Sequence, residues 1–482
     1  MTIGTRPAPD RQPTRTAFSE NYKTGVLIML VLAYTCNFID RTIIYTIGQA
    51  IKVDLKLTDT ELGLLGGLAF AIFYTLLGIP IARLADRSHR VNIIAGAIAL
   101  WSAFTAACGL AANFVQLLLL RMGVGVGEAG LSPPAHSLIS DYYEPERRGF
   151  ALSIYGLGIP FGTMLGAIMG GWIADQFSWR AAFLVVGLPG LIIAIAIKVF
   201  MKEPPRGYSE GLAALEAAHR TAQTPPLGAV IRRLFGNWGV FHLIAGCTLV
   251  SLAAYGTATY AQAYYIRQFH VTYTQVGLVF GLVVGSSTAI GTLLGGWLAD
   301  RKGSSDARWY PLIPAIGVAV SLPFHVLAFT AESWSQAIWL LFLPGVFYFM
   351  YVGPSWALVQ NVVPGPMRAT AAALLLFIVN IIGMGIGPPI SGWMIDTFSA
   401  QILSAHGGGV LAQMCPGGIG FEGSSAEIDA LCRASVAQGT RWGILATLVF
   451  FLWGALHYFA SALTLPRGPL KALAASQSSR ET

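Results

Sequence analysis

Twelve stretches of this chain stay apolar for about twenty residues or more, and that recurrence restricts the possible folds more than any other feature. A helix rises about 1.5 Å per residue, so each stretch is long enough to cross the ~30 Å hydrocarbon core of a bilayer. Lipid offers the backbone no hydrogen-bond partners, so each N–H and C=O must be satisfied within its own helix. The runs fall at 23–50, 60–84, 91–111, 114–141, 148–174, 180–201, 238–267, 273–299, 309–330, 334–361, 368–396 and 438–464. Only 11% of the 482 residues are charged, whereas a soluble domain carries about a quarter. The expected fold is all-α: a polytopic membrane protein of twelve transmembrane helices, its 55 glycines suited to close helix packing.

The longest polar interruption before the C-terminal half runs from Lys202 to Gly236. It divides the chain into a tail (1–22), a six-helix half (23–201), a linker (202–236), a second six-helix half (237–465) and a final tail (466–482). Within the linker, Gly211 to Arg220 reads as a helix on the membrane surface. The first apolar run is too long for a signal-peptide core and lacks a cleavage site, so it reads as a retained first span. Of the 30 Lys and Arg, 22 fall on the side of the termini, six on the other, and Arg41 and Arg121 inside spans. The positive-inside rule then makes both tails cytoplasmic. The loop holding Cys415 and Cys432 faces outside, where oxidising conditions permit a disulfide. Cys36, Cys108 and Cys247 fall in spans as small hydrophobes, and neither a CxxC pair nor a His-rich run points to a metal or cofactor.

The halves repeat. Ala82-Arg-Leu-Ala-Asp86-Arg87-Ser-His-Arg90 after the second span is matched by Gly296-Trp-Leu-Ala-Asp300-Arg301 after the eighth. Pro145-Glu-Arg-Arg148 is matched by Pro366-Met-Arg368, and Gly171-Trp-Ile-Ala-Asp175 by Gly392-Trp-Met-Ile-Asp396. Two six-helix repeats with a site between them at mid-depth is a recurrent transporter plan. The paired loops, with Asp86, Arg87, Arg90, Arg148, Asp300, Arg301 and Arg368, read as a conformational clasp on the cytoplasmic side; the plainer reading is topology-setting charge. Gly158, Gly162, Gly166 and Gly170 in the fifth span, and Gly383, Gly385, Gly387 and Gly392 in the eleventh, allow close approach and bending.

Charges inside the spans carry the functional reading. The first span contains Asn37-Phe-Ile-Asp40-Arg41, and the fourth carries Arg121 and Glu128, seven residues apart on one helix face. A charge at the bilayer centre costs ~2.5–3.5 kcal/mol on the insertion scale. Adjacent, the four form a neutral set of two acids and two bases. A static salt bridge is the plain alternative, but buried ion pairs stabilise poorly compared with apolar residues, which favours a working role. Burial disfavours a charged carboxylate and a neighbouring guanidinium favours it, so a change in solvent access can load or release a proton at Asp40 or Glu128. A released Arg41 or Arg121 can take an anionic head group. The second half offers Tyr255, Tyr348, Tyr351, Trp356 and Asn380 instead, an aromatic wall opposite a charged one. Such a cavity suits an amphipath with a polar head and an apolar body. His136, His242, His325 and His457 read as packing residues, with His136 the one worth testing.

These residues resemble the major facilitator superfamily and, within it, the Spinster family. The first resemblance rests on the Ala-Asp-Arg loops, on Arg121-xxx-Gly125-x-Gly127 and on the glycine-rich fifth span. The second rests on Asn37-Phe-Ile-Asp40-Arg41, on Val124-Gly-Val-Gly-Glu128-Ala129 continuing to Ser137-Leu-Ile-Ser-Asp141-Tyr, and on Glu203-Pro-Pro-Arg206-Gly. Ala82 and His89 stand where the superfamily loop has glycines. The resemblance implies the major facilitator fold of two pseudo-symmetric halves working by alternating access. It also implies cargo of the lysolipid or sphingoid-phosphate type with proton linkage, pointing to Asp40, Arg41, Arg121 and Glu128.

The expected activity is therefore proton-linked export of amphipathic lipid-like anions. The partners are protons, membrane lipids and the anionic cargo, without nucleic acid, in a monomer. Short tails and the absence of an Asn-x-Ser/Thr sequon favour a bacterial inner membrane. An organic-anion/proton symporter or a multidrug exporter of the same superfamily is the near alternative, and a non-transporting receptor on this scaffold a remote one. A lipid-acting membrane enzyme is disfavoured because neither GxSxG nor HExxH occurs.

Overall fold

The computed structural model describes residues 18–209, 226–303, 305–364 and 367–468. The expected surface helix Gly211–Arg220, the side chain of Asp86 and most of both tails lie outside that set. Among the described residues, twelve helices are long and apolar enough to span a membrane: α1 Glu20–Asp54, α2 Asp59–Ala85, α3 Arg90–Cys108, α4 Phe114–Tyr142, α5 Arg147–Gln176, α6 Trp179–Phe200, α7 Trp238–Phe269, α8 Tyr273–Gly303, α9 Trp309–Phe329, α10 Trp334–Asn361, α11 Thr370–Ala405 and α12 Ala426–Thr464. No strand occurs among the described residues. Polar residues start helices at the water boundary: Asn113, Ser178, Asn237, Ser333 and Ser425 each accept a backbone N–H three residues on. The Ser425 cap moves the start of α12 to Ala426, well before the apolar run at 438.

An even number of spans places both chain ends on one face, the terminal face; the opposite one is the distal face. Several spans are not continuous. The sequence reads 114–141 as one helix, but α4 breaks after Glu128 and restarts at Ser132, because Pro133 and Pro134 have no N–H to donate to the preceding turn. The α2 ladder is interrupted at Gly67, and α8 and α11 contain π-helical stretches at Phe280–Val284 and Val379–Ile386. Irregular turns of this kind gather at working sites in helices.

One core is built almost wholly from α1–α6 and another from α7–α12; Met384 of α11 reaches into the first. The α5 glycine stripe faces α1: a Cβ at Gly162 would lie 2.5 Å from the Thr35 carbonyl oxygen, and one at Gly166 3.0 Å from Ile39 Cα. In the second half, α11 approaches α7 in the same manner, a Cβ at Gly387 falling 2.5 Å from the Leu252 carbonyl oxygen. Large apolar side chains left exposed, such as Ile192, Leu293 and Trp339, lie on spanning helices where lipid would cover them. A disulfide joins Cys415, in the distal loop between α11 and α12, to Cys432 in the first turns of α12.

Candidate functional site: a charged centre beneath a closed gate

Consecutive residues on a helix point about 100° apart, so Asp40 and Arg41 leave α1 in different directions. Arg41 turns towards α2 and α4. Its Nε donates to Glu128 Oε2 at 2.6 Å, and its guanidinium lies 4.4 Å from the Tyr74 ring centroid, 4.9 Å from Phe70 and 5.0 Å from Phe38. Cation–π contacts of this kind strengthen where water is excluded. Asp40 turns instead towards Trp101 and Thr105 of α3, within electrostatic reach of Arg121. Arg121 itself lies over the Phe70 ring, 5.7 Å from its centroid.

Of the four charges, Arg41 and Glu128 form one close ion pair, while Asp40 and Arg121 interact electrostatically without ion-pair contact. Asp40, Arg121 and Glu128 are each 1% exposed. Buried polar atoms there remain without a protein hydrogen-bond partner: Asp40 Oδ1, Arg121 Nε and Nη1, Glu128 Oε1 and both amide atoms of Asn37. Such groups cost free energy in a static core, which makes this a poor design for stability alone.

Tyr255 of α7 crosses to this centre. It packs against the first-half core and lies within electrostatic reach of Arg41 and Tyr74. Tyr348 and Tyr351 of α10 continue the row; the Tyr351 hydroxyl is 3.2 Å from Ser251 Oγ, and Tyr348 packs on Phe451 and His325. Asn380 sits half-buried in the π-helical stretch of α11. Trp356 packs with the second-half core, nearer the terminal face. His136 is exposed and stands edge-on to Tyr155, which stacks on Tyr34 at 4.4 Å. Phe38, Phe70 and Tyr74, which complete the box around Arg41, carried no signal in the sequence beyond their helical spacing.

The clasp takes a different form from the expected one. Arg90 is fully buried and held between the first half and the start of the linker, by Glu203 Oε1 at 2.6 Å, Asp141 Oδ2 at 2.5 Å, Ser137 Oγ at 2.8 Å and the Pro204 carbonyl at 3.1 Å. Its charge must be compensated where it is buried, and those two carboxylates are the ones in reach. Arg148 donates to the Ser140 carbonyl, Arg301 lies over Trp297, and Arg87, Asp300 and Arg368 are exposed.

Hydrogen bonds joining the halves concentrate instead at the distal face. Arg267 of α7 grips Asp59 of α2 at 2.6 and 3.2 Å, and also reaches Thr440 Oγ1 at 2.6 Å and Gln49 Oε1 at 2.7 Å. Lys52 of α1 pairs with the same Asp59. Around this cluster run two seams of one design. Asp396 in the distal part of α11 accepts the N–H groups of Asp59 and Thr60 at 2.9 and 2.8 Å, and Asp175 at the end of α5 accepts those of Tyr273 and Thr274 at 3.1 and 2.6 Å. Each carboxylate caps the first turn of a helix in the opposite half, and each of those helices also carries its own capping box, Thr58/Glu61 or Thr272/Gln275. The sequence displayed Asp175 and Asp396 only as repeat landmarks; their role is visible once the halves are docked. The distal face is closed.

Comparison with known proteins agrees with this geometry. Residues 30–388 match the model of the Major Facilitator Superfamily. A bacterial homologue of the human lysosomal transporter Spinster, solved in an inward-facing and unoccupied conformation, superposes with a TM-score of 0.83 at 32% identity, covering 93% of this chain and 98% of that one. An MFS-type efflux pump of Mycolicibacterium smegmatis is 31% identical over 381 residues, 78% of this chain and 85% of the relative. The hexuronate transporter of Bacillus subtilis is 28% identical over 408 residues, 81% and 93% respectively. These relatives are transporters, not enzymes. Twelve spans in two repeated halves, a closed distal gate and these likenesses lead to one conclusion: the chain belongs to the major facilitator superfamily, as an integral membrane secondary transporter of the Spinster type.

Proposed function

We propose that this transporter moves amphipathic, lipid-like anions of the lysolipid or sphingoid-phosphate type in a proton-linked cycle, with export as its working direction. The observation that carries the reading is Arg41, shared between the Glu128 carboxylate and an aromatic box. A proton on Glu128 removes the competing anion and leaves the guanidinium free for a phosphate or carboxylate head. Tyr255, Tyr348 and Tyr351 then offer an aromatic surface to the apolar body. Asp40 and Arg121 form the second proton-sensitive pair.

The coupling has a sign: proton and anion load together, so anion affinity rises as pH falls, and export is driven by the cargo's own outward gradient against the inward proton gradient. With the termini in the cytoplasm of a bacterial inner membrane, the closed distal face makes this the inward-facing state of a monomer working by alternating access. Export is supported by the efflux relative. A second reading, uptake of a sugar acid with a proton, is favoured by the same joint loading and by the hexuronate relative.

Proteoliposomes decide between them. The first reading expects flux of a fluorescent lysophosphatidate that responds to an imposed pH gradient and loses that response in Glu128→Gln and Asp40→Asn. Gradient-driven accumulation of labelled glucuronate, with no lysolipid flux, replaces it by the second. Lysolipid flux indifferent to the gradient in the parent protein removes proton linkage.

A further inference from the structure

Beside the distal gate lies a cavity of about 720 Å³ that central transport leaves unused. That volume is in the range of small-molecule sites, roughly 300–1,000 Å³. Leu57, Ala400, Val410, Leu411 and Val436 make most of its wall apolar. Three charged side chains also line it, Lys52, Lys56 and Asp396. Lys52 is committed to Asp59, and Asp396 to the first turn of α2. Lys56 is exposed and has no ion-pair partner among the described residues, so the uncompensated charge at the cavity is positive.

The walls come from both halves. Lys52, Lys56 and Leu57 belong to the first; α11, Val436 and the Gly408–Gly418 segment belong to the second. The Cys415–Cys432 disulfide ties that segment to α12, and Gly417 seats it on α1, where a Cβ would stand 3.0 Å from the Lys52 carbonyl oxygen. The cavity is thus assembled across the seam from both halves in the closed arrangement.

We propose that this cavity is a second binding site, for a single-headed anionic amphipath whose phosphate or carboxylate rests on Lys56 and whose short apolar body lies against Leu57, Val410 and Leu411, and that its occupancy holds the distal gate closed. The proposal is independent of which anion the central site carries. A ligand that binds one conformation alone shifts the equilibrium by mass action: at ten times its dissociation constant it multiplies the closed-to-open ratio by about 11.

Octyl phosphate is the probe, with the protein in lipid nanodiscs and spin labels at Leu110→Cys and Glu332→Cys, exposed distal positions in opposite halves. Calorimetry on the same samples counts sites. Octyl phosphate is expected to narrow the inter-label distances towards the closed state and to occupy two sites, central and distal. Lys56→Glu is expected to lose the narrowing and one site, Lys56→Arg to keep both, and Arg41→Ala to keep the narrowing while losing the central site. An unresponsive parent, a Lys56→Glu protein that responds like the parent, or narrowing lost in Arg41→Ala overturns the proposal. Inorganic phosphate is expected to have no effect; an equal effect would strip the apolar wall of its part and overturn the amphipath assignment.

Discussion

Arg41 is held by shape as well as by charge. Lysine in its place keeps the charge but loses the planar fork and most of the stacking on Phe38, Phe70 and Tyr74. Arg41→Lys is expected to weaken lysophosphatidate binding about tenfold, the equivalent of ~1–2 kcal/mol for a desolvated cation–π contact, measured by calorimetry at low pH. Unchanged affinity would place the head group elsewhere. The charged residues themselves were legible in the sequence, because four ionised side chains stand out in apolar runs. The box was not: among 26 Phe and 17 Tyr, no single aromatic residue announces a partner. Nor was the choice of pairs, since Glu128 reaches Arg41 from the end of a broken helix that hydropathy reads as continuous.

At the scale of elements, the twelve spans and the repeat were readable because bilayer thickness and residue periodicity fix them. The distal gate was not. Lys52 and Arg267 served the sequence only as topology markers, and Asp59 only becomes a gate residue when α7 is laid against α2. The two seams give separable predictions. Asp396→Ala removes a half-buried cap and is expected to cost the closed state ~1–2 kcal/mol; Asp175→Ala, at an exposed seam, is expected to cost nearer ~0.5 kcal/mol. Inter-label distances across the distal face should broaden in that order. Arg267→Ala removes the main clamp and leaves Lys52 alone against both Asp59 and Asp396, for an expected ~3–5 kcal/mol. Asp59→Asn should relieve part of that cost in the double variant, and strict additivity would show that the two do not act together. Gly162→Val drives a branched side chain into the α1 backbone, so purified protein should melt earlier whatever the ligand.

For the whole molecule, the disulfide links shape to sidedness. A closed loop spanning 17 residues constrains the open chain by about 3 kcal/mol. Cys415→Ser with Cys432→Ser is therefore expected to lower the melting temperature and to loosen the distal seat on α1. In intact cells, a membrane-impermeant phosphine should reduce this bond only if the distal face is extracytoplasmic; protection until lysis would invert the assigned orientation. The gate cluster has one further consequence. Lys52 and Arg267 balance Asp59 and Asp396, and the seams are completed by backbone amides, which carry no formal charge. Each elementary charge carried across a membrane at 100 mV exchanges about 2.3 kcal/mol with the field, but a neutral assembly that parts and re-forms near one surface exchanges almost none. Membrane voltage should therefore have little leverage on the gate, and any electrical signature of the proposed cycle should originate with the cargo anion and the proton at the central site.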